Sequence, residues 1–462
     1  MKARSQPAID WLGTIPHDWS QPRLKAVFRD NSGAISIQQL ADLEVQHYSI
    51  PNFDKFGAPA CEQGTTIASN KTLLCGGEIL VSKLNSHKPR VWQVPHDDQV
   101  KVASTEFIPL AEWHSGTVDK AFITYLIGSA VFAEYMTCFQ TSVTNSHRRI
   151  NPNDLWQTHV PLPLLPEQRR IATYLDASCL AIDSAIVAKW GQLETLDSLR
   201  KATTQRAVTR GISDHVILAS TGNAWMECIP RGWRLVALKR IAEIQGGLTL
   251  GKQYDGPLIE RPYLRVGNVQ DGHLDLADVS MIELPASVAP GVELRPDDVL
   301  MTEGGDLDKL GRGHVWRGEI PGCLHQNHIF AVRCFSHKLK PLFLAHVTAS
   351  QYGRDYFEAT GKKTTNLAST NATKVGQFAI PLPPLAEQQI ICDYLDAKLG
   401  EIKRIAACIE AQIATLSAYR KSLIHECVTG QRRITEADVT TAVNKANTPI
   451  ATATGQPEDC HA

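Results

Sequence analysis

Three stretches of the sequence come close to motifs that catalyse reactions or bind ligands. Gly246 to Lys252 has the spacing of a phosphate-binding loop, but Gln253 stands where a Ser or Thr would hold Mg²⁺. His425-Glu426 begins like a zinc-protease helix, yet Thr429 replaces the second His. Asn151-Pro152-Asn153-Asp154 is the nearest approach to a methyltransferase or nuclease motif, and a proline-initiated turn explains it. The residues therefore predict no catalytic site, no metal site and no cofactor.

The composition narrows the class of protein further. The chain carries 47 Lys plus Arg against 48 Asp plus Glu, so no overall positive charge points to nucleic acid. Its 11 cysteines form no Cys-x-x-Cys pair, which argues against a disulfide framework and a structural zinc site. We find neither the apolar core of a signal peptide nor a segment fit to span a bilayer. A cytoplasmic protein without a membrane partner is expected.

The chain repeats itself. Residues 161–177 recur at 381–397 with 11 of 17 positions identical, at an offset of 220. Upstream, the Trp-rich segment 11–25 recurs at 225–239. Self-similarity at a nearly fixed offset indicates two copies of one structural unit. We therefore expect a pseudo-twofold molecule in which each copy opens with a Trp-rich segment and closes with a proline-rich turn and a helix.

The two closing helices are expected to be unusually long. Apolar residues recur every three, four or seven positions after Glu167 and again after Glu387, in runs without proline of about 44 residues each. One narrow apolar stripe needs a partner. The favoured partner is the other helix, in a parallel or antiparallel coiled coil; the alternative is that each stripe packs on its own globular domain.

Between these helices the sequence predicts α+β domains, because short apolar strands alternate with turns and with apolar-periodic helices. The expected domains are a globular domain at 1–160, a helix segment at 161–213, a second globular domain at 214–380, a second helix segment at 381–430, and a partly disordered tail at 431–462.

The doubled Pro-Leu-Pro-x-Leu-x-Glu-Gln motif before a long helix, with Trp-x-x-x-Ile-Pro-x-x-Trp upstream, resembles the specificity subunits of type I restriction-modification systems. Residues 300–313, His325-Gln326-Asn327-His328 and Thr364 to Leu367 are similar to one class of target recognition domain in that family. The resemblance implies a non-catalytic, DNA-binding subunit without a cofactor. Its two recognition domains would read the halves of a split, asymmetric target, and its helices would bind two methyltransferase subunits, which restriction/translocase subunits join.

Loop residues with amide or basic side chains are the candidates for contacting DNA bases and phosphates. They are Lys83, Asn85, Lys88, Arg90, Arg148 and Arg149 in the first copy and Lys309, Arg312, Gln326, Asn327, Lys362, Lys363, Thr365 and Asn366 in the second. Among them, Arg312 is expected to read guanine, whereas Lys362 and Lys363 are expected to hold phosphates. The candidates for partner binding on the closing motifs are Glu167, Gln168, Tyr174, Glu387, Gln388 and Tyr394.

Two other classes of protein stay open beside the DNA-binding subunit. A pseudo-symmetric coiled-coil scaffold that binds proteins would share the same helices, so only the loops distinguish the two hypotheses. A stand-alone DNA-modifying enzyme would need a catalytic motif that the sequence does not contain.

Overall fold

The computed structural model describes residues 11, 15–114, 116–141, 148–270, 272–305, 310–311, 313–363 and 368–447, with the side chains of Thr141 and Lys363 left out. The chain divides into two units. The first unit combines residues 1–189 and 411–462, and the second contains residues 190–410. Each unit therefore holds one globular domain together with a part of each long helix.

The first globular domain mixes short strands and short helices. Its strands are β1 (Phe28–Arg29), β2 (Gly33–Ile35), β3 (Glu44–Tyr48), β4 (Ala60–Gln63), β5 (Lys71–Leu74), β6 (Ile79–Ser82), β7 (Val91–Gln93), β8 (Val100–Ala103), β9 (Phe107–Glu112), β10 (Gln140–Thr141) and β11 (Arg149–Ile150). Its helices are α1 (Leu24–Val27), α2 (Ile37–Leu40), α3 (Ile50–Phe56), α4 (Lys120–Ile127), α5 (Ala130–Thr137) and α6 (Pro152–Gln157), after which the long helix α7 (Leu165–Arg210) begins.

The second globular domain is built in the same manner. Its strands are β12 (Leu218–Asn223), β13 (Met226–Pro230), β14 (Arg234–Ala237), β15 (Ala242–Gly246), β16 (Ile259–Leu264), β17 (Ser280–Leu284), β18 (Val299–Thr302), β19 (Gly304–Gly305), β20 (Gly313–Val315), β21 (Leu324–His325), β22 (Ile329–Cys334), β23 (Lys362–Lys363), β24 (Ala368–Ser369) and β25 (Ala379–Leu382). Its helices are α8 (Pro341–Ala349), α9 (Gln351–Thr360) and α10 (Ala372–Gln377), followed by the long helix α11 (Leu385–Val428) and then α12 (Glu436–Asn447).

The central sheet has one topology in both units. Its strand order is β1-β9-β6-β7 in the first unit and β15-β22-β18-β20 in the second, with antiparallel pairing throughout. The first unit adds a mixed sheet, β2-β5-β8-β3-β4, where the second has the smaller sheet β17-β16-β21. The duplication read from the sequence thus extends to the shared sheet, while the added sheets differ.

The long helices begin and end by the same local devices. Glu167 and Glu387 lie in the first turns of α7 and α11, where the helix dipole favours a carboxylate. Gly211 and Gly430 follow the two helices with φ of +75° each, a left-handed conformation that stops a helix. The observed lengths of 46 and 44 residues confirm the long helices expected from the sequence.

The two helices pair antiparallel. In the first unit, Asp183 of α7 binds Arg420 of α11 at 3.0 Å, and Leu175 and Ile182 share one buried core with Leu423 and Cys427. In the second unit, Ala207 and Val208 share a core with Ile391 and Leu395. The start of each helix therefore lies beside the end of the other. The same cores contain residues of the adjacent globular domain, so each stripe packs on a domain as well as on its partner helix.

One described helix, α7, contains a stretch that is long and apolar enough to cross a membrane by length and composition alone. Ile171, Leu175 and Ile182 in this helix are buried in the core of the first unit, which accounts for the apolar composition. The cysteines within the described part of the chain are free thiols.

Candidate nucleic-acid interface

In the second unit, three candidate segments from distant parts of the sequence lie side by side. Strand β24 pairs with both β19 and β23, so that Ser369 faces Gly304 on one side and Lys362 on the other. The Thr370 N–H donates to the carbonyl oxygen of Glu303 at 2.8 Å, and the Glu303 N–H donates to that of His328 at 2.9 Å. We call Glu303, Gln326, Asn327, His328 and Lys362 the second patch.

A glycine turn supports this patch from below. The Leu248 N–H donates to the His325 carbonyl at 2.7 Å, and the Asn327 N–H donates to the Leu248 carbonyl at 2.9 Å. A Cβ at Gly247 would lie 2.3 Å from the carbonyl oxygens of His325 and Gln326, so only glycine fits there. The stretch that approaches a phosphate-loop motif is therefore a packing turn beside β21, and no helix follows it.

Several predicted DNA contacts lie outside the described residues. These are Lys309, Arg312, Thr365 and Asn366, and only the backbone of Lys363 is described. Their neighbours place them in sequence next to the second patch: Gly305 precedes the first pair, and Lys362 and Ala368 flank the others. They stay predictions.

In the first unit, Lys83, Asn85, Arg148 and Arg149 come together although more than 60 residues of sequence separate the pairs. The Asn85 N–H donates to the Arg148 carbonyl at 2.7 Å, and the Ile150 N–H donates to the Lys83 carbonyl at 3.0 Å. Asn85 adopts a φ of +53°, a turn conformation that Asn tolerates better than most residues. Together with Glu106, these residues form the first patch.

Glu106 orients one of the predicted DNA contacts. The Arg149 guanidinium donates to both of its carboxylate oxygens at 3.0 to 3.2 Å. Glu106 was not among the residues predicted from the sequence, because an acid is no candidate for a phosphate contact. The signal that identifies it is its place at the head of β9, opposite Lys83.

The two patches share one backbone framework. The bond from the Lys83 N–H to the Glu106 carbonyl in the first unit, at 2.9 Å, corresponds to that from the Glu303 N–H to the His328 carbonyl in the second. Likewise, Ile150 binds Lys83 as Thr370 binds Glu303. Equivalent positions therefore carry different side chains, as is required if two halves of one protein recognise different partners.

One predicted DNA contact is corrected by the structure. Arg90 is only 5% exposed, and its guanidinium makes a bidentate ion pair with Asp54 at 2.7 and 2.8 Å. This pairing lowers the pKa of Asp54. Arg90 therefore fastens the loop after β6 to α3, whereas its neighbour Lys88 is exposed.

The closing motifs also require a correction. Gln168 and Gln388 were expected to bind a partner, but their side chains are buried at 1% and 0% exposure. Each accepts the backbone N–H at the start of a helix, of Asp119 and Lys340, at 2.8 Å. Each also donates to the proline-turn carbonyl, of Pro163 and Pro383 respectively. These two residues hold the repeat together and cannot face another chain.

The remaining partner candidates differ between the two units. Glu167 and Tyr174 are buried under the C-terminal segment: Arg433 pairs with Glu167 at 3.0 Å, and Arg432 lies 5.3 Å from the Tyr174 ring centre. These two residues therefore cannot be bound by another chain in this conformation. In the second unit, Tyr394 is exposed and Glu387 half-buried. Only the second unit presents these side chains at its surface.

Arg433 also binds Asp18, and this ion pair gives the first testable prediction. The guanidinium donates to both Asp18 oxygens at 2.8 Å and lowers the pKa of that carboxyl to about 2 from 3.8. Because the folded pKa is below the unfolded one, the contribution of Asp18 to stability is present above pH 4 and is lost as the pH falls towards 2. In Arg433→Ala, carboxyl NMR titration should show the Asp18 pKa returned to near 3.8.

The control for this prediction is Lys445→Ala, which removes an exposed cation from the same C-terminal segment. It should leave the titration of Asp18 unchanged. A depressed Asp18 pKa that persists without Arg433 would contradict the assigned cause.

An internal duplication, α+β domains with paired backbone frameworks, and antiparallel closing helices define a class of two-domain recognition proteins. Residues 230–413 match the model of the type I restriction modification DNA specificity domain. The chain thus contains a DNA specificity domain of the type I restriction-modification family, and the resemblance found in its sequence is confirmed.

Curated relatives carry the same description. The chain is similar to the StySPI specificity subunit of Salmonella potsdam, with 23% identity over 305 residues covering 64% of this chain and 63% of the relative. It is also similar to the EcoBI specificity subunit of Escherichia coli, with 25% identity over 321 residues covering 66% and 65%. The matches thus span less than two thirds of these relatives.

Solved structures share the fold. A chain from a type I restriction-modification complex superposes with a TM-score of 0.71 at 19% identity, covering 91% of this chain and all of that one. The HsdS subunit of Thermoanaerobacter tengcongensis gives a TM-score of 0.51 at 18% identity, covering 91% and 98%. The expected architecture, two domains joined by two long paired helices, is confirmed.

Proposed function

We propose that the chain is the non-catalytic subunit that reads a bipartite, asymmetric DNA target for a type I restriction-modification complex. The observation that carries the proposal is the shared framework of the two patches with its different side chains: Arg148 and Arg149 in the first, Gln326 to His328 in the second. Different donors and acceptors on one framework suit two half-sites of different sequence. A complex that acts on chromosomal DNA works in the cytoplasm.

The near-neutral net charge agrees with such a role. Base edges are read by hydrogen bonds, whereas phosphate charges are neutralised by cations that partner subunits share. Sequencing DNA methylation in the host with and without this gene tests the proposal. We expect one split motif to lose methylation when the gene is deleted. Unchanged methylation at all sites would favour the scaffold alternative.

Partner subunits are proposed to bind the long helices. Several large apolar side chains on these helices are exposed by more than half although each helix already has a partner: Leu180, Val187, Trp190 and Leu199 on α7 and Ile390 on α11. Exposed apolar side chains that form a surface mark an interaction site. Two methyltransferase subunits would take these surfaces, and restriction/translocase subunits would join the resulting complex.

Lys362 gives the second prediction. It is exposed at the edge of the second patch, where its ammonium group suits a phosphate contact. Lys362→Ala should weaken the binding of target and random duplexes alike and reduce the slope of log affinity against log salt by about 0.9. Fluorescence anisotropy at several salt concentrations measures both effects.

Lys398→Ala is the matched control, since Lys398 is an exposed lysine on α11 that pairs with Glu401. Its salt dependence should equal that of the unmodified chain. A loss confined to the target duplex in Lys362→Ala would instead make this residue a base reader.

A further inference from the structure

His328 and Glu303 form a pair held together by both main chain and side chains. The Glu303 N–H donates to the His328 carbonyl at 2.9 Å, while His328 Nδ1 lies 3.0 Å from Glu303 Oε2. The imidazole side chain is 52% exposed, and the carboxylate is 25% exposed. The ring is therefore fixed at one edge and open to solvent over half of its surface.

This arrangement selects the tautomer of the imidazole. An ionised carboxylate only accepts hydrogen bonds, so Nδ1 must carry the hydrogen that bonds to Glu303. In the neutral ring the lone pair then belongs to Nε2. Within the described part of the chain, no other side chain bonds to the ring. His328 thus presents a hydrogen-bond acceptor of fixed direction.

The position of the pair in the fold points to a reading role. Glu106, which orients Arg149 in the first patch, occupies the strand position equivalent to His328. Both units thus place a carboxylate-bound side chain at the same point of the same framework. In the first unit that side chain is an arginine, which only donates; in the second it is an imidazole acceptor.

We propose that His328 is a specificity-determining residue that accepts a hydrogen bond from the exocyclic amino group of adenine or cytosine in the major groove. Guanine and thymine present acceptors at the corresponding positions and would face the Nε2 lone pair unfavourably. Glu303 is the positioning residue that fixes the tautomer. The inference rests on the proposed function and adds which bases one position of the second half-site admits.

The test uses the full-length chain purified from its host with its bound partners. Selection from a random duplex library first gives the motif, and the affinity of each variant for single-base changes follows. At one position, replacing the selected base by its analogue without the amino group, purine for adenine or 2-pyrimidinone for cytosine, should cost the unmodified chain about tenfold in affinity. His328→Ala should lose about tenfold on the selected target and be indifferent to the analogue.

Glu303→Gln distinguishes reading from a structural contribution. The glutamine amide is able to donate to Nδ1, which allows the tautomer with hydrogen on Nε2. That variant should tolerate guanine or thymine at the same position, about tenfold better than the unmodified chain does, and keep its preferences elsewhere. His337→Ala, which removes an exposed histidine outside the patch, should change nothing.

Two results would overturn the inference while leaving the proposed function intact. One is a motif whose every position is unchanged in His328→Ala, and the other is a uniform loss over all positions in Glu303→Gln. If the unmodified chain selects no motif at all, the proposed function fails and the inference fails with it.

Discussion

Lengthening both long helices by one turn is expected to move the two halves of the DNA target apart without changing their bases. Four residues inserted after Trp190 in α7 and four after Ala411 in α11 would add about 6 Å to each helix and rotate it by about 40°. Lys189 and Gln412 are hydrogen-bonded across the pair, so the two insertions lie opposite each other and keep the antiparallel register. Methylome sequencing should show the original sites unmethylated and a spacer longer by about one to two base pairs, at 3.4 Å each.

The control inserts a single residue in α7 alone. It rotates the following part of that helix by about 100° and breaks its register with α11, so methylation should be lost at every spacing. If the double insertion changes the half-site bases and leaves their separation as it was, the helices do not set the spacing.

Removing the Gln388 side chain is expected to destabilise the second unit strongly. Its amide accepts from the Lys340 N–H at 2.8 Å and donates to the carbonyls of Lys338 and Pro383 at 2.9 Å, all without exposure to solvent. Gln388→Ala leaves these three backbone groups without a partner. At about 1 kcal/mol for each hydrogen bond, and more where a buried group stays unpaired, the free energy of unfolding should fall by roughly 2 to 4 kcal/mol.

Chemical denaturation measures the loss, and hydrogen exchange localises it to the Lys340 amide and the first turn of α8. Gln389→Ala is the control, because the neighbouring amide is exposed and binds only Asp393 on its own helix. It should alter stability by less than about 0.5 kcal/mol. Equal effects of the two variants would contradict the buried role of Gln388.

The sequence could indicate which residues lie near DNA only where charge and position agreed. It predicted Lys83, Arg148 and Arg149 from their basic or amide character, and the structure brings them together. It could not exclude Arg90, because the partner Asp54 lies 36 residues away. It also assigned Gln168 and Gln388 to the surface, since a repeated motif looks the same whether it binds a partner or supports the repeat.

By itself, the sequence determined the duplication, the length of the helices and the absence of recognisable catalytic motifs, because periodicity and repeated segments are properties of the chain alone. Only the tertiary structure decided that the helices run antiparallel, since an apolar stripe packs on a partner of either direction. It also decided which polar side chains are occupied by others: Glu106 binds Arg149, and Glu303 binds His328. Such pairs join residues far apart in sequence, and no local pattern records the distance between them.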